Sequence, residues 1–449
     1  SAGTHAGGVD RSRLYNCIVY YNTAPTGPNY DDYSTICYSC TTPLPFGEGN
    51  ISVEPLLASS THLSANSPCI GKGSSQYSSG VDIDGEPWLN PPSMGADEYV
   101  PDNVKGPLSV SIDVNYTNVA TGFAISFVAQ NQGLISSSFW DFGDGVIASN
   151  KVYIKHSWND PGEYTVKLTG YNNTYPSGVS ATVLIKVTQS TFYVNSESSS
   201  PEFPYSSWET AAKTIQEAID AGNIPGRLVL VTNGVYDVGG RVVYGLMTNR
   251  IVLTQGVMVK SVNGPTVTFI VGSEASGGGN GDGAIRCAYV GADAILSGFT
   301  LTNGHTRISE DNEGSGGGVW CETSGIISNC VLISNSAVHY GGGVHKGILY
   351  NCILTGNSTY YGGGGVYGGT LYNCTLTGNS SINYVYSGHG GGVYGCTLYN
   401  CTLTGNSAYY GGGVYGGTLY NCTLNSNSSE RMGGGADSST LYNCTLTGN

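Results

Sequence analysis

The sequence predicts an all-β chain built mainly as a parallel β-helix, and three observations carry that reading. An Asn-Cys pair recurs at Cys330, Cys352, Cys374, Cys401, Cys422 and Cys444, in steps of 22, 22, 27, 21 and 22 residues, and repeats of that period build solenoids. The phrase around each pair, Leu-Tyr-Asn-Cys-Thr-Leu in its fullest form, is too short and too rich in β-formers for a helix. Glycine runs bound the phrase on both sides, and 68 of the 449 residues are Gly. One set of short strands per turn, stacked on the next turn, satisfies all three.

Stacking then dictates a role for each recurring residue. Neighbouring rungs lie about 4.8 Å apart, so equivalent side chains form columns. Leu349, Leu371, Leu398, Leu419 and Leu441 form one inward column, the cysteines a second, and Leu354, Leu376, Leu403 and Leu424 a third. Asn351, Asn373, Asn400, Asn421 and Asn443 take the corner between two strands, where asparagine tolerates left-handed backbone angles and stacked amides bond one another. We expect this corner column to be buried, so that its Asn-Cys-Thr sequons stay unmodified. Tyr350, Tyr372, Tyr399, Tyr420 and Tyr442 face outward, ring against ring. The Gly triplets mark corners where no Cβ fits.

Composition narrows the function. The net charge is −14 and only 11% of residues are charged, which argues against nucleic acid or an anionic membrane surface as partner. No apolar run is long enough to span a bilayer. Of the 13 cysteines, six share one ladder position, which makes them small apolar core residues, reduced and inert. Cys37 and Cys40 form a single Cys-x-x-Cys outside any βαβ context. Tyr38-Ser39-Cys40 aligns with Tyr15-Asn16-Cys17, so Cys40 continues the ladder that Cys17 begins. A local bridge from Cys37 or Cys69 stays open.

In chain order, residues 1–22 read as a final rung completing a preceding copy, and residues 23–100, rich in proline and turns, as terminal rungs and their cap. Residues 101–107 read as a linker. Residues 108–189 alternate at Val110/Ile112/Val114, Phe123/Ile125/Phe127, Tyr164/Val166/Leu168 and Val183/Ile185/Val187, the pattern of a β-sandwich. Residues 190–227 read as a cap around one amphipathic helix over residues 206–222. Ser206 and Glu209 form its capping box, Gly222 its stop, and Trp208, Ala211, Ala212, Ile215 and Ile219 its apolar face. That face lids a β-helix over residues 228–449, in which Phe299 stands in the cysteine slot.

Two resemblances sharpen the picture. Phe139-Trp-Asp-Phe-Gly-Asp-Gly145, followed by His156-Ser-Trp-Asn-Asp-Pro-Gly-Glu-Tyr164, resembles the PKD family, whose immunoglobulin-like domains serve as spacers or adhesion modules in surface proteins. Ser67-Pro-Cys-Ile70, Asp82-Ile-Asp-Gly85 and Gly95-Ala-Asp-Glu-Tyr99 resemble the carboxy-terminal end of bacterial right-handed β-helix surface proteins, of the polymorphic-outer-membrane-protein-like, choice-of-anchor type. Val231-Thr-Asn-Gly-Val-Tyr236, Lys260-Ser-Val-Asn-Gly-Pro265 and Arg286-Cys287 resemble the amino-terminal half of the same family. These resemblances imply a right-handed β-helix with an inserted PKD domain, an extracellular or cell-surface location, and a stalk or adhesin role.

Chemistry is sparse. A glycosidase needs two carboxylates across one groove, yet from residue 319 onward the only acids are Glu322, Glu430 and Asp437, on distant rungs. The best cleft candidates, Arg307, Glu310, Asp311 and Glu313, lie in an insertion over residues 305–313 that reads more simply as a solvated loop. His339, His345 and His389 sit on Gly-rich corners without a nucleophile or metal-ligand partner. Asp82, Asp84 and Glu86 have the spacing that opens a calcium loop but lack its later ligands, so a hydrogen-bonded turn is the simpler reading. Asp141 and Asp144 read as turn locks. No cofactor is expected. Asn50, Asn115 and Asn172 open glycosylation sequons, expected on exposed loops. The expectation is therefore a non-enzymatic structural surface protein. The alternative is a β-helix that binds or cleaves carbohydrate, with the Tyr and Thr ladders as a sugar platform.

The two ends extend this expectation. Reading Asn449 into Ser1 restores the repeated Thr-Gly-Asn-Ser-Ala wording, and the step from Cys444 to Cys17 becomes 22 residues. We expect Asn449 and Ser1 to form an assembly seam between head-to-tail copies, joined as a covalent tandem or by exchanged strands.

Overall fold

The computed structural model describes residues 7–24, 27–222, 224–254, 256–309, 312–381 and 388–449. The chain divides into two compact units, Ser1–Thr188 and Gln189–Asn449. Its fold is all-β: stacked parallel sheets of a β-helix, a PKD-type sandwich and one short capping helix. Ser1, Glu310 and Asp311 lie outside the described residues.

In the second unit the phrase Leu-Tyr-Asn-Cys-Thr-Leu makes two strands and the corner between them. Leu371 and Leu376 point inward and are fully buried, and Tyr372 and Thr375 point outward. Asn373 between them takes φ 54°, the left-handed angle that swings one strand into the next. Repeated on each rung, this geometry stacks Ile348–Tyr350, Thr370–Tyr372, Thr397–Tyr399, Thr418–Tyr420 and Thr440–Tyr442 into one parallel sheet. Val331–Ile333 through Thr445–Thr447 form the second sheet. A third sheet ends in Val344–His345, Val366–Tyr367, Val393–Tyr394, Val414–Tyr415 and Ala436–Asp437, and a fourth joins Ser336–Ala337 to Ser428–Met432. The Gly triplets leave room where segments converge: a Cβ on Gly342 would stand 2.2 Å from the carbonyl oxygen of Ser358.

One continuous core runs along the axis. It begins with Val229, Val231 and Val259, passes through Phe299, and continues in the Leu, Cys and Val columns. Each fully buried Leu contributes about 1.5–3 kcal/mol. Phe299 does stand in the cysteine slot, where its backbone N–H reaches the Sγ of Cys330 at 3.5 Å, as Cys352 N–H reaches Cys374.

The lid differs from expectation. The helix spans only Ile215–Asp220, with Thr214 as N-cap and Glu217 completing the capping box. It cannot start at Ser206, because Ala212 is bonded as a strand residue: its N–H donates to Tyr193 and its carbonyl accepts from Asn195. Ile215, Ala218 and Ile219 nevertheless cover the first rungs, while Trp208 is 39% exposed and packs edge-on against Tyr193. Gly222 is not a left-handed stop. It clears space for the Arg227 guanidinium, which would lie 1.9 Å from a Cβ there and sits over the Phe192 ring.

The first unit opens with rungs of the same kind. Arg13–Tyr15 pairs with Thr35–Cys37, and Ile18–Val19 with Cys40–Thr41, all parallel. This register corrects the alignment expected for Cys40. Ser39, not Cys40, lies opposite Cys17 and accepts its N–H at 3.0 Å, while Cys40 pairs with Ile18. The interval is a constant 22 residues, so Tyr38 takes the corner at φ 49° as Asn16 does at 52°. Cys40 is buried instead in the cap core with Leu57, Leu63, Cys69 and Met94, onto which the sandwich residue Val152 also packs. All thirteen cysteines are free thiols.

The sandwich sets a three-stranded sheet (Ser109–Val114, Ile125–Gln132, Tyr153–His156) on a five-stranded one containing Ser137–Asp141, Gly162–Tyr171 and Val179–Thr188. Trp140, Phe142, Trp158 and Phe127 fill its centre. Both indoles are satisfied, Trp140 by Lys151 O and Trp158 by Phe142 O. Asp141 and Asp144 lock turns by accepting the Gly143 and Val146 N–H groups.

Candidate functional site: the rung faces and the open edge

The outward Tyr column is built from equivalent strand positions, so its spacing is the rung spacing. Successive rings from Tyr350 to Tyr442 lie 4.9, 4.9, 4.9 and 4.8 Å apart, within 11° of parallel. Each ring covers the face of its neighbour and offers solvent only its edge and hydroxyl.

The asparagines correct the expected burial. The corner column, Asn351 to Asn443, is exposed, and its amides bond one another only at 3.3–3.4 Å. The buried column is a different one: Asn335, Asn357, Asn379, Asn406 and Asn427, from the recurring Ser/Thr-Gly-Asn and Ser-Asn phrases. Asn379 Nδ2 donates to Leu354 O and to Asn406 Oδ1, both at 2.9 Å, and its N–H also reaches Asn406 Oδ1. Its own Oδ1 accepts from Asn357 N and Nδ2 at 3.0 and 2.9 Å. The sequence signal was present: Leu376 points in, Thr377 out, and the corner at Gly378 (φ 62°) restarts the alternation so that Asn379 points in.

Cys330, Cys352, Cys374, Cys401 and Cys422 are buried. Burial pushes the Cys330 thiol up to about 11 and that of Cys396, one further inward cysteine, up to about 12. Such thiols stay protonated and unreactive at neutral pH. Cys17 and Cys444 are half-buried rather than buried. Cys444 lies on the outermost rung, where the equivalents of the fully buried Leu419 and Leu424 are half-buried Leu441 and 45% exposed Leu446. Tyr442 there is 49% exposed.

A second aromatic column on the third sheet was not foreseen, because Trp and His interrupt the Val-Tyr wording. Tyr289, Trp320, His345, Tyr367, Tyr394 and Tyr415 occupy one register position. His345 is sandwiched between Trp320 at 4.0 Å and Tyr367 at 5.3 Å, and burial pulls its pKa down to about 3. His339 stacks on Tyr361 and His389 on Tyr410, so all three histidines are ring-stacking members of the rungs.

Glu322 accepts from Tyr289 and Tyr244 hydroxyls, and Glu313 pairs with Arg307, which also meets Asp282. Asp437 accepts from Ser438. The insertion containing Arg307 borders a groove of about 590 Å³ lined by Ile308, Ser336, Val338, Ser358, Tyr360 and Tyr361 among others.

In the cap, Asp82 uses both carboxylate oxygens on backbone: Oδ1 accepts from Asp84 and Glu86, Oδ2 from Glu98. These bonds form the hydrogen-bonded turn that closes this loop. Asp84 turns instead to His62 at 3.1 Å, and ligand atoms of His62, Asp84 and Asp97 lie within 4.8 Å of one another. Asp97, which accepts the Leu63 N–H, is pushed up to about 6 by burial. Asn115 is exposed. Asn172, expected on an exposed loop, is 3% exposed, its amide donating to Gly106 and Leu134 carbonyls. Asn50 is half-buried and bonds Ile36 O and Ser39 N.

Residues 111–187 match the PKD domain family. No curated protein matches the chain. Among solved structures, a carbohydrate-binding module of the β-sandwich superfamily is similar at 27% identity, over 21% of this chain and 39% of its own, with a TM-score of 0.19. The PKD domain of the human VPS10 domain-containing receptor SorCS2 is similar at 22% identity, over 22% of this chain and 94% of its own, with a TM-score of 0.16. Pectin methylesterase from carrot is similar at 12% identity, over 52% of this chain and 73% of its own, with a TM-score of 0.29. The chain thus spans 39% of the length of the first of these. At such TM-scores none of the likenesses bears on substrate or activity.

Proposed function

We propose that the chain is a structural, extracellular module whose solenoid is lengthened by rungs of its own wording, giving a head-to-tail filament or surface stalk. The observation that carries this reading is the match between two rungs far apart in the chain: Leu14-Tyr15-Asn16-Cys17 repeats Leu441-Tyr442-Asn443-Cys444, and Asn16 turns its corner at φ 52° as Asn443 does at 53°. Each rung presents the same chemistry to the next. Residues 7–22 supply a matching rung, joined covalently or by strand exchange. The PKD domain, a net charge of −14 and a Tyr-, Thr- and Ser-rich surface support an extracellular setting. Among the described residues, Glu322 and Asp437 accept from hydroxyls and Glu313 and Asp282 pair with Arg307, which supports a non-enzymatic role. Sedimentation velocity across a concentration series tests the reading: the folded chain forms linear oligomers, and Leu446→Lys removes them. A folded chain that remains single at every concentration contradicts it, as does turnover of pectin or alginate.

The groove beside Ile308 and Tyr360 supports a second reading, in which neutral saccharides bind along it. Titration with uncharged oligosaccharides, followed by Tyr360 fluorescence in single-Tyr→Phe variants, separates it from the first.

A further inference from the structure

The buried asparagine column has a direction. Every member donates its backbone N–H and one Nδ2 proton to Oδ1 of the next, and Asn427 passes these bonds to Asn449 at 3.0 and 2.8 Å. Asn449 donates its other Nδ2 proton to Leu424 O at 2.9 Å. Among the described residues, its backbone N–H and remaining Nδ2 proton meet no acceptor. In the first unit the same bonds start again at Asn22, whose N and Nδ2 reach Asn29 Oδ1 at 3.2 and 3.3 Å. The Oδ1 of Asn22 accepts nothing among the described residues.

The surrounding geometry repeats as well. Asn16 turns its corner at φ 52° and Asn443 at 53°, and Tyr21 has φ 61° where Gly448 has 63°. A Cβ on Gly8 would fall 2.8 Å from Asn22 Nδ2, as one on Gly413 would fall 3.3 Å from Asn427 Nδ2. Rung polarity matches too: Cys40 N–H donates to Cys17 O at 2.8 Å, as Thr445 N–H does to Cys422 O at 2.9 Å.

Resting on the head-to-tail reading, we propose that Asn22 is the acceptor for Asn449 of a second copy, so that the inner asparagine column sets the direction and register of the joint. The occupant of the open edge is then the rung of residues 7–22, with Leu14 over Leu441, Tyr15 over Tyr442 and Val19 over Leu446. A slip by one residue would turn Tyr15 inward and Leu14 outward. A reversed copy would set the donors of Asn449 against donors.

The test uses the full chain. Asn22→Ser removes the amide acceptor and keeps a hydroxyl donor toward Asn29. It weakens association about tenfold, the effect of one or two neutral hydrogen bonds, and it removes the oxidative Tyr15–Tyr442 cross-link that wild-type oligomers give. Asn373→Gly, on the exposed corner column of an interior rung, leaves both unchanged. If Asn22→Ser lowers the melting temperature of the first unit, hydrogen exchange of wild type decides instead: the Asn449 amide becomes protected on assembly. Association and cross-linking by Asn22→Ser equal to wild type, or an Asn449 amide that stays unprotected in oligomers, overturns the proposal and leaves the head-to-tail reading standing. A wild-type chain that never associates overturns both.

Discussion

Two asparagine columns run along the same solenoid at the same interval, and they are held in opposite ways. The corner column is exposed and chosen for its backbone, with φ between 52° and 55° from Asn351 to Asn443. The inner column is buried and chosen for its amide, which makes bonds of 2.8–3.1 Å on both sides. The first unit shows what each requirement permits. Its corner passes from Asn16 to Tyr38 while keeping a positive φ, whereas the amide donors of Asn22 still end on an asparagine oxygen, supplied by Asn29 beside the Val9–Tyr30 bridge. The backbone requirement is met there by a different residue type, and the hydrogen-bond requirement by another amide.

Breaking the inner column has the largest expected effect. Asn379→Leu orphans the N–H and one Nδ2 proton of Asn357, takes a donor from the carbonyl of Leu354 and leaves Asn406 Oδ1 only the backbone N–H of residue 379, and it costs about 4 kcal/mol in urea unfolding of the second unit. Next comes acid. His345 is buried without a partner for Nδ1, and its folded pKa of about 3 lies below that of the unfolded chain. The folded state therefore binds fewer protons, so its stability is full above about pH 6.5 and falls by about 1.4 kcal/mol per unit below it. His345→Phe flattens that acid limb. The corner column gives less: Asn373→Ala costs about 1 kcal/mol for placing alanine at φ 54°, while Asn373→Gly is near neutral. Equal losses at Asn373 and Asn379 would erase the contrast. The smallest effect is Cys374→Ser, under about 1 kcal/mol, because Ser39 already fills that slot in the first unit and bonds the Cys37 carbonyl.

What the sequence disclosed was what repetition makes visible. A recurring Leu-Tyr-Asn-Cys-Thr-Leu fixes inward Leu, outward Tyr and a corner between, because strands alternate sides and rungs superpose. The sandwich was legible from its alternation and its Phe-Trp-Asp-Phe-Gly-Asp-Gly motif. Burial of polar side chains was not. Asn373 and Asn379 look alike in sequence, and only the bend at Gly378 turns the second inward. The helix was overextended because Ala211 and Ala212 suit a helix face, while their backbone was already claimed by the strand at Tyr193. Asn172 looked like a loop sequon because nothing local reveals that Gly106 and Leu134 would bring it carbonyl partners.

Side-chain amide exchange, read from the chain labelled with 15N only at asparagine, tests the account most directly. The account predicts slowly exchanging Nδ2 protons for Asn335, Asn357, Asn379, Asn406 and Asn427, and rapid exchange for Asn351, Asn373, Asn400 and Asn421. Similar rates in the two columns would contradict it.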